Sequence, residues 1–97
     1  MNKDAYRYRF NQELPLQEVE DSLLLAVLAV ENLYGRSLVR LDAAFLLDRQ
    51  ERTCELEAGT EVGRAIARIF TGFLSQQFGE QSFRIERVGG VPAVGGP

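Results

Sequence analysis

At 97 residues and 10.9 kDa the chain has the size of one domain, large enough for a single core without disulfide or metal staples. Its 45% hydrophobic and 26% charged residues are those of a globular protein, and a net charge of −3 with a pI near 4.9 argues against partners that need a basic surface, nucleic acid and anionic membranes alike. With no histidine and one cysteine, a disulfide framework, most transition-metal sites and every histidine-based triad are excluded, so neither a metal nor a cofactor is expected.

The N-terminal stretch MNKDAYRYRF lacks the apolar segment of a signal peptide, and the expected location is cytoplasmic. Within it Ala5–Phe10 alternates strictly. Tyr6, Tyr8 and Phe10 share one face and Ala5, Arg7 and Arg9 the other, the pattern of a half-buried strand. Pro15 then suits a first helical position, and Glu18, Glu20 and Asp21 place negative charge where a helix N-terminus favours it.

The segment Asp21–Gly35, DSLLLAVLAVENLYG, organises the rest. With Leu23 at zero and about 100° per residue, Leu16, Val19, Val27, Val30 and Tyr34 fall within about 40° of it, with Ala26 and Leu33 just beyond. Leu24, Leu28 and Leu25 fall at roughly 100°, 140° and 200°, beside Asp21 and Asn32, where a helix resting on a sheet ordinarily carries polar groups. The run is much shorter than the ~20 apolar residues of a membrane span. These leucines are therefore expected to meet protein. Gly35 ends the helix in a backbone conformation suited to glycine.

Arg36–Asp48 reads as the next strand, with Val39, Leu41, Ala43 and Phe45 on one face. Leu46 and Leu47 break its alternation, which predicts a bulge or a second interface there. After a polar turn at Arg49–Glu51, Arg52–Ala58 returns with Cys54, Leu56 and Ala58 facing inward, completing a hairpin. Thr60 is a good N-cap for a helix over Glu61–Phe78, whose stripe is Val62, Ile66, Ile69 and Phe73. Gly63 and Ala67, small and four apart, would let the first helix approach closely. Gly79 repeats the role of Gly35, and Gln81–Val88 is a last strand with Phe83 and Ile85 inward. Residues 89–97, GGVPAVGGP, form a Gly/Pro-rich tail expected to be flexible.

The order β-α-β-β-α-β over residues 5–88 resembles the ferredoxin-like split β-α-β architecture. That resemblance implies an α+β domain spanning residues 1–88, with a four-stranded antiparallel sheet of order 4-1-3-2 and two helices on one face. It would set Arg7 and Arg9 beside Glu55 and Glu57, with Arg40/Asp42 and Arg84/Glu86 on the flanking strands, a favourable arrangement of opposite charges.

Fold alone does not give function. The charged sheet face reads as a solvated ladder of ion pairs. RNA-recognition domains share the topology, but RTCELEA lacks their glycine and aromatic signature. Acylphosphatases share it too, but NQELPL stands where their Gly-rich phosphate loop would be. Cys54, on the inner face beside Glu55, is expected to be an inert thiol, and no catalytic residue stands out.

The reading that remains is a non-catalytic interaction module, self-associating or serving as a subunit or adaptor in a larger assembly. Its expected contact residues are Leu24, Leu25 and Leu28, rimmed by Asp21 and Asn32, with Leu46 and Leu47 as a further patch. The partner is expected to be protein, with no nucleic acid and no membrane involved. One alternative is a modifier precursor processed after Gly90. Arg87-Val88-Gly89-Gly90 followed by seven residues resembles the end of a ubiquitin-like protein, although one strand rather than a hairpin precedes the first helix. On that view Gly89, Gly90, Val91, Pro92 and Val94 are the residues for processing or docking. A second alternative is a regulatory domain that senses a small ligand.

Overall fold

The structure, a computed structural model, describes residues 4–88. It is an α+β domain: a four-stranded antiparallel sheet with three α-helices. In chain order these are β1 (Ala5–Phe10), α1 (Leu16–Tyr34), α2 (Arg36–Asp42), β2 (Phe45–Asp48), β3 (Thr53–Glu57), α3 (Glu61–Phe78), a 3-10 turn (Glu80–Ser82) and β4 (Phe83–Arg87). The strands lie in the order β2-β3-β1-β4. No helix among the described residues is long and apolar enough to cross a membrane.

The register explains the core. Tyr8 of β1 stands opposite Cys54 of β3 and Ile85 of β4, and Leu56 stands opposite both Tyr6 and Phe45. Directly opposed residues in antiparallel strands share a face. One face therefore collects Tyr6, Tyr8, Phe10, Phe45, Leu47, Cys54, Leu56, Phe83 and Ile85, with Arg87 opposite Tyr6 at its margin. Against its centre pack Val19, Leu23, Ala26 and Val30 of α1 and Val62, Ile66, Phe70 and Leu74 of α3. Tyr8 is the hub. It is fully buried, its ring lies 4.9 Å from that of Phe70, and its hydroxyl bonds Thr71 Oγ1 at 2.8 Å and the Ala67 carbonyl at 3.3 Å.

The other face carries most of the charges of the strands. Arg7 pairs with Glu55, directly opposite it on β3, at 2.8 Å, and Arg9 pairs with Glu86, its diagonal neighbour on β4, at 3.1 Å.

The segment 36–48 departs from its expected reading. Only Phe45–Asp48 is strand; Arg36–Asp42 is the helix α2, and the element order is accordingly β-α-α-β-β-α-β. The cause is partner supply. β3 pairs with residues 45–48, and the last ladder bond on this side runs from Glu57 N–H to the Ala44 carbonyl at 2.9 Å. Residues 36–42 lie past the end of that ladder, so their backbone groups must be satisfied within the segment. They are: Val39 N–H donates to Gly35 O and Ala43 N–H to Val39 O. Val39 alone anchors α2 in the core, and Leu41, expected to face inward with it, is exposed. Arg40 and Asp42 belong to this helix and take no part in the sheet.

Three smaller differences follow from packing. No bulge occurs at Leu46–Leu47, since β2 pairs residue by residue with β3. Leu33 lies on the solvent side of α1 and not at the margin of its stripe. Gly63 does not face α1. A Cβ there would stand 2.1 Å from the Glu57 carbonyl oxygen, so this glycine seats the first turn of α3 on the end of β3.

Candidate functional site

Two contacts mark the flanks of α1. On one flank Ser22 Oγ donates to Gln77 Oε1 of α3 at 3.1 Å. On the other Glu20 accepts from Arg49 in the turn after β2. On the count that puts Leu23 at zero these flanks are at about 260° and 60°. The arc between them on the side away from Leu23 runs Glu31, Leu24, Gln17, Leu28, Asp21, Asn32, Leu25, Glu18 and Ala29, so the three leucines are spread among polar residues. The three leucines are 48, 55 and 56% exposed, and Asp21 and Asn32 are exposed with them. Asp21 Oδ1 accepts from Gln17 at 3.2 Å.

Leu46 and Leu47 part company. Leu47, opposite Cys54, packs against the core; Leu46, opposite Glu55, is exposed on the charged face. The two cannot form one patch, because successive strand residues point to opposite faces. Neither joins the leucines of α1. Gly89, Gly90, Val91, Pro92 and Val94 lie outside the described residues.

The strongly shifted groups are both internal. Burial pushes the Cys54 thiol up to about 12, and the neighbouring Glu55 carboxylate pushes the same way. Burial also raises the Tyr8 phenol to about 12, against the hydrogen bond with Thr71, which favours ionisation. A nucleophile needs the ionised form near neutral pH. Cys54 is neither ionised nor accessible, and the Tyr8 hydroxyl is occupied by Thr71 and Ala67. Among the described residues no group of three His, Cys, Asp or Glu side chains is placed to hold a metal ion.

A concave feature lies between α3 and β4. It has a volume of about 310 Å³ and is lined by Tyr6, Tyr8 and Ile85 from the sheet and by Arg64, Ala67, Arg68 and Thr71 from α3. Reading the sequence does not find it. Ile85 has the inward position that alternation predicts, yet it is 39% exposed, because the helical cover stops short of the edge strand. The usable signal was the pair Arg64 and Arg68, one turn apart on α3 and bracketing Ala67 with Thr71. No protein-family model, no curated protein and no solved structure matches the chain.

Proposed function

We propose that this chain is a non-catalytic interaction module that pairs with a second copy of itself through the outward arc of α1. We further propose that its fold is a ferredoxin-like sandwich with one added helix. In support of the fold reading, the sheet taken from β4 runs in the order 4-1-3-2, and a helical connection follows both β1 and β3.

The observation that carries the functional reading is the exposure of Leu24, Leu25 and Leu28 on a helix whose opposite side is already fully seated. The spacing favours a like partner. Asp21, Leu25, Leu28 and Asn32 are i, i+4, i+7 and i+11, a single stripe. Two such helices, antiparallel about a two-fold axis at residues 26–27, set Leu25 of one copy against Leu28 of the other. The same axis sets each Asp21 against the Asn32 amide of the other copy, where the carboxylate meets a donor and not another carboxylate. α1 has no basic residue of its own to neutralise acids in any other alignment.

Each leucine has about half its surface left to bury. At about 1 kcal/mol each, six supply roughly 6 kcal/mol, before the costs of association are subtracted. That corresponds to a Kd of tens of micromolar or weaker. The test is sedimentation equilibrium up to about 1 mM, a range chosen from that affinity. The protein should move from one copy to two, and Leu24→Glu with Leu28→Glu should stay single with an unchanged circular dichroism spectrum. A protein that stays single throughout, or a double variant that pairs as well as the parent, removes the reading.

A further inference from the structure

From the groove between α3 and β4 we infer a binding site for a small amphipathic carboxylate: an apolar body laid against Tyr6, Tyr8 and Ile85, its anionic head between Arg64 and Arg68.

Its volume of about 310 Å³ is at the lower end for small-molecule sites, roughly 300–1,000 Å³. Its floor is apolar because the sheet's inner face continues under β4 without a helix above it. Tyr8 and Ile85 are opposed in register, yet Tyr8 is fully buried while Ile85 is open. The groove also offers few polar competitors to an apolar body. The Tyr8 hydroxyl and the Thr71 hydroxyl are bonded to one another.

Charge selects the head group. Among the described residues, both charged residues lining the groove are arginines, in a chain whose net charge is −3. Arg64 spends one guanidinium nitrogen on the Ala58 carbonyl at 3.3 Å, which holds its side chain in place and leaves further donors. Arg68 is exposed and no ion pair or hydrogen bond engages it among the described residues. The acid nearest in sequence to Tyr6 is Asp4, and it faces Arg87 at 3.7 Å. The contrast with the outer face of the sheet is direct. There every arginine of β1 has a glutamate beside it, whereas among the described residues the two on the groove have none lining it. Two guanidinium forks one helical turn apart match a carboxylate, which can accept from both.

The site is separate from the leucine arc of α1, and one titration tells the two apart. Octanoate is the probe, with acetate as the head alone and 1-octanol as the body alone, followed by amide chemical shifts at neutral pH. Octanoate should move Tyr8, Ala67, Arg68, Thr71 and Ile85, and should bind more tightly than either fragment. Arg68→Gln should weaken octanoate about three- to tenfold and leave 1-octanol unchanged. Arg64→Gln should do the same if its fold, checked by the same spectra, is intact. The inference falls if octanoate moves nothing in the groove. It falls equally if Arg68→Gln leaves octanoate binding unaltered, or if the shifts gather on Leu24, Leu25 and Leu28 instead.

Discussion

α1 and α3 are the same device used twice. They are 19 and 18 residues long, both lie on the inner face of the sheet, and both end at a glycine. Gly35 has φ 90° and ψ 150°, Gly79 φ 88° and ψ 151°, a region that costs other residues of the order of 1–3 kcal/mol. The outer faces differ. α3 shows solvent Glu61, Arg64, Arg68, Gly72, Gln76 and Gln77; α1 shows it Leu24, Leu25 and Leu28 among its polar residues. Covering this sheet therefore does not demand an apolar outer face. The leucines of α1 are surplus to the fold, and the surplus is what points to a partner.

The sharpest way to break that contrast is to truncate neighbouring leucines. Leu23 is 2% exposed in the core, and Leu23→Ala should cost about 2–5 kcal/mol. Leu24→Ala, one residue on, should cost under about 1 kcal/mol when urea unfolding is followed at low micromolar concentration. There the proposed pair is dissociated, so only the single copy is weighed. Equal losses at the two positions would mean that Leu24 belongs to the single copy's own core, and the surplus would vanish.

A second test uses two glycines of α3. Gly63→Ala would drive a methyl group to 2.1 Å from the Glu57 carbonyl oxygen, a contact with backbone that no side-chain rotation relieves. It should cost about 1–3 kcal/mol, at the upper end if β3 cannot shift. Gly72→Ala meets nothing within 4 Å and should gain about 0.5–1 kcal/mol from helix propensity alone. Opposite signs from the same substitution in one helix would tie the seat of α3 to the end of β3. Two gains would show that the first turn of α3 stands clear of the Glu57 carbonyl.

These two glycines also show where the sequence stops being legible. Periodicity gives β1, β3 and α3 almost to the residue, and the strict alternation of Tyr6, Tyr8 and Phe10 places the core face of β1. The same alternation implies the Arg7–Glu55 contact, since two charges on one side of neighbouring strands must meet. It does not say that pairing with β3 ends at Ala44, and so it cannot tell α2 from strand. RSLVRLD alternates as well as it spirals, and only the length of the neighbouring strand decides. Gly63 carries no mark of which surface it meets. The groove is invisible for a related reason. Ile85 follows the inward pattern perfectly well, and its exposure depends on how far α3 reaches across the sheet.

The smallest of the effects lies at the helix starts. Thr60 caps α3, its Oγ1 accepting from Gly63 N–H at 3.0 Å, while Pro15 opens α1 with no side-chain cap. Thr60→Ala should therefore cost about 0.5–2 kcal/mol, and Thr60→Ser, which keeps the acceptor, much less. Replacing Pro15 by alanine removes no hydrogen bond and should lose only the stiffness that proline imposes on the unfolded chain, about 0.4–1 kcal/mol. The two losses differ in origin. The Thr60 loss should be recovered by serine, asparagine or aspartate, and the Pro15 loss by none of them unless the new side chain caps α1. If Pro15→Ser raises stability above the parent, α1 starts from an unfilled cap. Its leucine arc would then be held in place by Ser22, Glu20 and the core beneath, and not by its own first turn.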